Sequence, residues 1–167
     1  MPTFRVVDSS LLIEADHRRV LGALEKYLRS GPPAIAPPRV YEETVTEPRS
    51  IGFGASAARI EKLFKSGAVA IKPPDYTDSL VSTIVDRVRV CIADRAGKPE
   101  HAVERADLQI VALAIENARK GNQVEIMFRD SALKVCLERV LRGQGVSGVS
   151  IIDFRSLIRQ LKHEPKG

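Results

Sequence analysis

The chain is predicted to be an α/β protein with a central, mostly parallel sheet of about five strands and helices on both faces. Three observations predict this. Short apolar runs of strand length alternate with longer stretches whose apolar residues recur every three or four positions. Pro and Gly punctuate nearly every junction. The 167 residues, 44% of them hydrophobic, suffice for one compact core. No internal repeat or low-complexity tract interrupts the rhythm, so residues 1–167 are expected to form a single domain.

Residues 4–7 read as a buried strand, and Leu11, Leu12, Val20, Leu21, Leu24 and Leu28 carry helical spacing over residues 10–30. Gly31-Pro32-Pro33 ends that helix. Residues 34–36 form a second strand, and Pro37-Pro38 starts a helix through Val45 in the manner of proline in a first turn. Pro, Arg, Ser and Gly mark 47–54 as a loop. A helix over 55–65 closes at Ser66-Gly67, and 68–71 form a third strand that Pro73-Pro74 breaks. A long amphipathic helix spans 77–93, and a charged linker covers 94–100. Residues 107–120 are so apolar, from Leu108 to Ile115, that this helix is expected to be enclosed on most sides. Gly121 ends it. A strand at 124–128, a helix at 131–142, a strand at 149–152 and a helix at 154–162 complete the pattern.

Composition narrows the function. Twenty-six Lys and Arg against twenty-one Asp and Glu give a net charge of +5, which favours an anionic partner such as nucleic acid. There is no Trp and aromatics are only 5%, too few for a base-stacking platform, so nucleic-acid contact is expected to rest on phosphate. Cys91 and Cys136 form no zinc-ligand pattern and read as buried, reduced thiols. No leader or membrane-spanning run is evident, so a cytoplasmic protein with no membrane contact is expected. His17, His101 and His163 are too scattered to form a catalytic pair. Arg18, Arg19, Lys134 and Arg139 could touch RNA phosphate, although a solvated helix face is the readier explanation for each.

Four acids stand at strand-to-helix junctions: Asp8, Glu43, Asp107 and Asp130. In α/β folds the crevice beyond the strand ends is where ligands bind. Each acid alone has a plain explanation. Asp8 and Asp130 suit helix caps, Asp107 suits a helix dipole, with Glu104 three residues before it, and Glu43 belongs to a solvated Glu42-Glu43 pair. Together they form a set of hard oxygen donors suited to Mg²⁺ or Mn²⁺, and such a site can polarise a phosphodiester.

With these motifs the chain resembles the PIN-domain family of metal-dependent ribonucleases, which includes the VapC toxins and nucleases of ribosomal RNA maturation. The resemblance spans nearly the whole chain. Val6-Val7-Asp8-Ser9-Ser10-Leu11 is similar to the family's opening motif, and Pro38-Arg39-Val40-Tyr41-Glu42-Glu43 to its second. Ala106-Asp107-Leu108-Gln109-Ile110-Val111-Ala112-Leu113-Ala114 resembles the third. Phe128-Arg129-Asp130-Ser131-Ala132-Leu133 resembles the fourth. The resemblance implies a PIN-like three-layer α/β/α fold and metal-dependent endoribonuclease activity. Its catalytic, metal-binding residues are Asp8, Glu43 and Asp107, with Asp130 completing the cluster and Ser9 or Ser10 supporting it. It also implies Mg²⁺ or Mn²⁺ as cofactor and RNA as partner, and leaves room for an antitoxin or other protein partner and for a homodimer. The extra length between Glu47 and Glu104 is closer to archaeal PIN proteins of ribosomal RNA processing or RNA ligation than to toxins.

The fourth motif departs from the family where Phe128 replaces Thr or Ser and Arg129 precedes Asp130. Pairing of Arg129 with Asp130 motivates a second reading, a PIN-like RNA-binding or scaffold protein with a weakened metal site. Haloacid-dehalogenase phosphatases need a second Asp where this chain has Ser10. Receiver domains need further acids near the first strand. Neither a dinucleotide fingerprint nor a P-loop is present.

Overall fold

The computed structural model describes residues 2–128 and 131–163. Five strands, β1 (Thr3–Val7), β2 (Ala34–Ala36), β3 (Ala70–Ile71), β4 (Gln123–Phe128) and β5 (Val149–Asp153), form one sheet in the order β3-β2-β1-β4-β5. Every pairing is parallel. Parallel neighbours require long crossovers, and the helices supply them.

Helices α1 (Ser9–His17), α2 (Leu21–Arg29), α5 (Gly54–Lys65) and α9 (Phe154–His163) pack on one another in one layer. In the other layer α6 (Ser79–Ala96) packs on α7 (Arg105–Arg119) and α8 (Ser131–Gln144), with α7 against β1 and β4. The run Ile110–Ile115 of α7 is buried throughout, as its apolar sequence predicts. Among the described residues no helix is long and apolar enough to cross a membrane.

Four expectations are corrected. The helix expected over 10–30 is two helices, because Arg19 adopts a left-handed backbone, φ 59°, and the buried Val20 restarts the chain in a new direction. The loop expected over 47–54 is largely helical: α3 (Pro38–Tyr41) continues through a π-helical turn, Glu42–Thr46, into α4 (Glu47–Ser50). Pro48 explains the wide turn. It has no N–H to give the carbonyl four residues back, and its ring clashes with that carbonyl in α geometry. The linker expected over 94–100 is shorter, since α6 runs on to Ala96 before Gly97 closes it. Cys91 and Cys136, expected to be reduced thiols, form a disulfide that joins α6 to α8 across 45 residues of sequence. Nothing in their spacing signals this pairing.

Arg5 is a charge inside the sheet's packing, 7% exposed. Its guanidinium lies 4.4 Å over the Tyr27 ring, and its Nη1 donates to the Tyr27 carbonyl at 3.3 Å. Glu125, its register partner on β4, supplies a carboxylate at 3.7 Å. A Cβ on Gly31 would stand 2.5 Å from the guanidinium, so a larger residue there would push the Arg5 head group from this position.

Candidate functional site

The strand order fixes where the site forms. The chain proceeds from β1 outward through β2 and β3, then returns to build β4 and β5 on the other side of β1. The crossovers therefore diverge beyond the carboxyl ends of β1 and β4, leaving a crevice at the switch point. Val7 is in register with Met127, and Phe128 with Asp153. Asp8, Phe128 and Asp153 thus share a row along the sheet's carboxyl edge, on strands about 4.8 Å apart.

Asp8 lies in this crevice and is 7% exposed. Its backbone is extended, and its side chain makes no capping hydrogen bond to α1. Asp78 shows the contrast: at the start of α6 it accepts from the Leu80 N–H at 2.9 Å and pairs with Arg119. The Asp8 carboxylate instead accepts a hydrogen bond from the Ser10 hydroxyl. Ser9, also buried, donates its hydroxyl to Glu43 Oε2 at 3.0 Å. The adjacent serines thus bind two acids of the set.

Glu43 projects from the π turn. The other carboxylate oxygen, Oε1, is 3.3 Å from Arg39 Nε, and Arg39 Nη1 donates to Glu42 at 2.9 Å and Glu47 at 2.6 Å. Burial raises the Glu43 pKa above the ordinary carboxylate value; Ser9 and Arg39 oppose the shift, while Glu104 and Asp8 add to it. Asp8, Glu43 and Glu104 therefore share one electrostatic neighbourhood. The acidity comes from three elements that are remote in sequence.

Asp107 is half-buried in the first turn of α7, since that helix begins at Arg105. Residues on both sides of it reach towards α3. Glu104 enters the field of Glu43, and Gln109 accepts from the Arg39 backbone N–H at 3.3 Å. Asp130 and Arg129 lie outside the described residues, so the pairing expected between them does too. Phe128, by contrast, is a buried end to β4.

Among the described residues no group of three Asp, Glu, His or Cys side chains is placed to hold a metal ion. Asp8 and Glu43 are nonetheless electrostatic neighbours, and one or two carboxylates, with water and substrate phosphate, are what Mg²⁺ sites commonly use. Burying Glu43 near two other acids raises its pKa, and a cation there would lower it.

Two features escaped the sequence reading. Arg39 is one, and acids three, four and eight residues later on one helix are its sequence signal. Asp153 is a further acid at a strand end. It caps α9 by accepting from the Arg155 N–H at 2.9 Å, and the Arg155 guanidinium clasps it at 2.7 Å. Beside the acids, a cleft of about 490 Å³ includes Arg39, Arg89, His101, Glu104 and Arg105 in its lining.

The family model of the halobacterial PIN domain matches residues 1–165. No curated protein and no solved structure matches the chain. With that match covering nearly the whole sequence, and an α/β/α architecture whose switch point gathers acids, the chain belongs to the halobacterial PIN domain family.

Proposed function

We propose that the protein is a metal-dependent endoribonuclease that hydrolyses RNA phosphodiesters at the crevice beyond β1 and β4. Membership of a PIN-domain family supports a nuclease-type function in general. The observation that carries the specific reading is Asp8: a nearly buried carboxylate at the switch point that does not cap its helix and lies close to Glu43. Burying two neighbouring carboxylates without a cation costs free energy, so a ligand of opposite charge accounts for them.

In this reading Asp8, Glu43 and Asp107 hold Mg²⁺ or Mn²⁺, with Asp130 as the fourth acid of the set. The divalent ion, when bound, polarises the phosphodiester and lowers the pKa of an attacking water. Ser9 and Ser10 orient the carboxylates they bind. Arg39 anchors Glu43 to its helix and opposes the rise that burial gives its pKa.

Purified protein given single-stranded RNA and Mn²⁺ is expected to cleave it, and Asp8→Asn is not. Equal cleavage by both would trace the activity to a contaminant. A second reading, an RNA-binding protein with a weakened metal site, draws support from Arg39, whose charge already balances Glu43. RNA binding indifferent to Mn²⁺ and to Asp107→Asn, with no cleavage, would favour it.

A further inference from the structure

Helix α9 carries Arg155, Arg159 and Lys162 and no acid, in a chain whose net charge is +5. Its other face, Phe154, Leu157, Ile158 and Leu161, is buried in the core. The three cations are therefore confined to the solvent side, and all are exposed. Spacings of four and three residues align them in a row. The row runs about 10 Å along the helix axis at 1.5 Å per residue.

These charges are available to a ligand. Arg159 and Lys162 have no ion-pair partner among the described residues. Arg155 spends its Nε and Nη2 on Asp153 and leaves Nη1 without a hydrogen bond there. An exposed pair of that kind contributes little and can be shared with a phosphate. A cleft of about 430 Å³ beside the row reaches the end of α1; Arg18, Arg155 and Arg159 line it together with Glu14 and Asp153, which pair with Arg18 and Arg155, so Arg159 is its one lining cation outside an ion pair among the described residues. Lys134, exposed in the first turn of α8, lies within electrostatic reach of Asp153.

The row also begins at the acid centre. Asp153, the acid that Arg155 grips, shares the edge row with Phe128 and stands about 10 Å from Asp8, two strand spacings away. Aligned cations whose apolar side is already buried suit a polyanion whose charges repeat along a line.

We infer that the exposed face of α9, from Arg155 through Arg159 to Lys162, is the track on which phosphates of single-stranded RNA lie as the strand passes the acid centre. This inference rests on the nuclease reading above and names the path of its substrate. The test is the affinity of the full chain for a fluorescent single-stranded RNA in EDTA, measured against salt, with Mn²⁺-dependent cleavage followed in parallel. Arg159→Glu with Lys162→Glu is expected to weaken binding roughly tenfold and to lower the salt slope by about 1.4, from two lost phosphate contacts at about 0.7 each. The milder Arg159→Gln with Lys162→Gln is expected to give the same slope change. Lys26→Glu with Lys62→Glu, an equal charge change on α2 and α5, is expected to leave the slope near that of the parent. Equal losses in both reversed pairs, or an unchanged slope in the α9 pairs, would overturn the track. Failure of the parent to cleave RNA would instead remove the nuclease reading, and the binding comparison would still be readable.

Discussion

At the scale of single residues, Asp8 decides the account. A carboxylate that caps its helix stabilises the fold by about 1 kcal/mol, and its loss lowers stability. Asp8 makes no such bond, and its neighbours include Glu43. Asp8→Asn is therefore expected to leave the melting temperature unchanged or raised, while cleavage falls by more than about 100-fold, beyond the usual range for residues that merely support metal ligands. A thermal melt beside a cleavage assay separates these effects. Ser9→Ala removes the donor to Glu43 Oε2 and is expected to weaken Mn²⁺ binding by about 10–100-fold, read by titration. The places of Asp8 after a strand and of Asp107 in the first turn of a helix were legible because strand and helix periodicity marks each junction, and their role as metal ligands belongs to the proposal. Arg39 was legible only in principle, since its three acids looked like an ordinary solvated face. Arg19 was not legible at all: a left-handed backbone at an arginine leaves no signature in periodicity.

At the scale of elements, the helix carrying Glu43 depends on Pro48 and Glu61. With Pro48→Ala the chain regains the N–H that an α-helix needs, so the π turn Glu42–Thr46 is expected to tighten and rotate Glu43 away from Ser9. Lower Mn²⁺ affinity without a lower melting temperature is the expected result. Pro, Gly and Ser over residues 47–54 carry a loop signal in the sequence, and contacts with α5, remote from that local pattern, hold the segment helical. Glu61 of α5 binds Arg49 of α4 at 3.1 Å and accepts from the Tyr41 hydroxyl at 3.0 Å, and the Phe64 ring packs edge-on against Tyr41. Arg49, Lys65 and Tyr41 hold the Glu61 pKa at about 2, below its ordinary value near 4.5. A depressed acid contributes stability above its unfolded value, and that contribution is lost as pH falls from about 4.5 towards about 2. Melting temperature is therefore expected to fall through this window more steeply in the parent than in Glu61→Gln.

At the scale of the whole molecule, the alternation of strands and helices made the parallel sheet legible, and the rule that ligands bind at a switch point located the crevice. The disulfide was not legible. Its two cysteines are 45 residues apart and meet only because α6 and α8 pack in the same layer. Reduction of Cys91–Cys136 is expected to cost roughly 2–4 kcal/mol of stability, the usual range for a bridge closing a long loop, visible as a lower melting temperature in dithiol reductant. In the proposed reading the basic exterior attracts RNA phosphate and the acidic crevice holds a divalent ion, so the two act as parts of one device. A crystal of the protein soaked in Mn²⁺ tests this most directly. Anomalous density is expected among the carboxylates of Asp8, Glu43 and Asp107, absent in Asp8→Asn; no density there at saturating Mn²⁺ would contradict the metal-dependent nuclease.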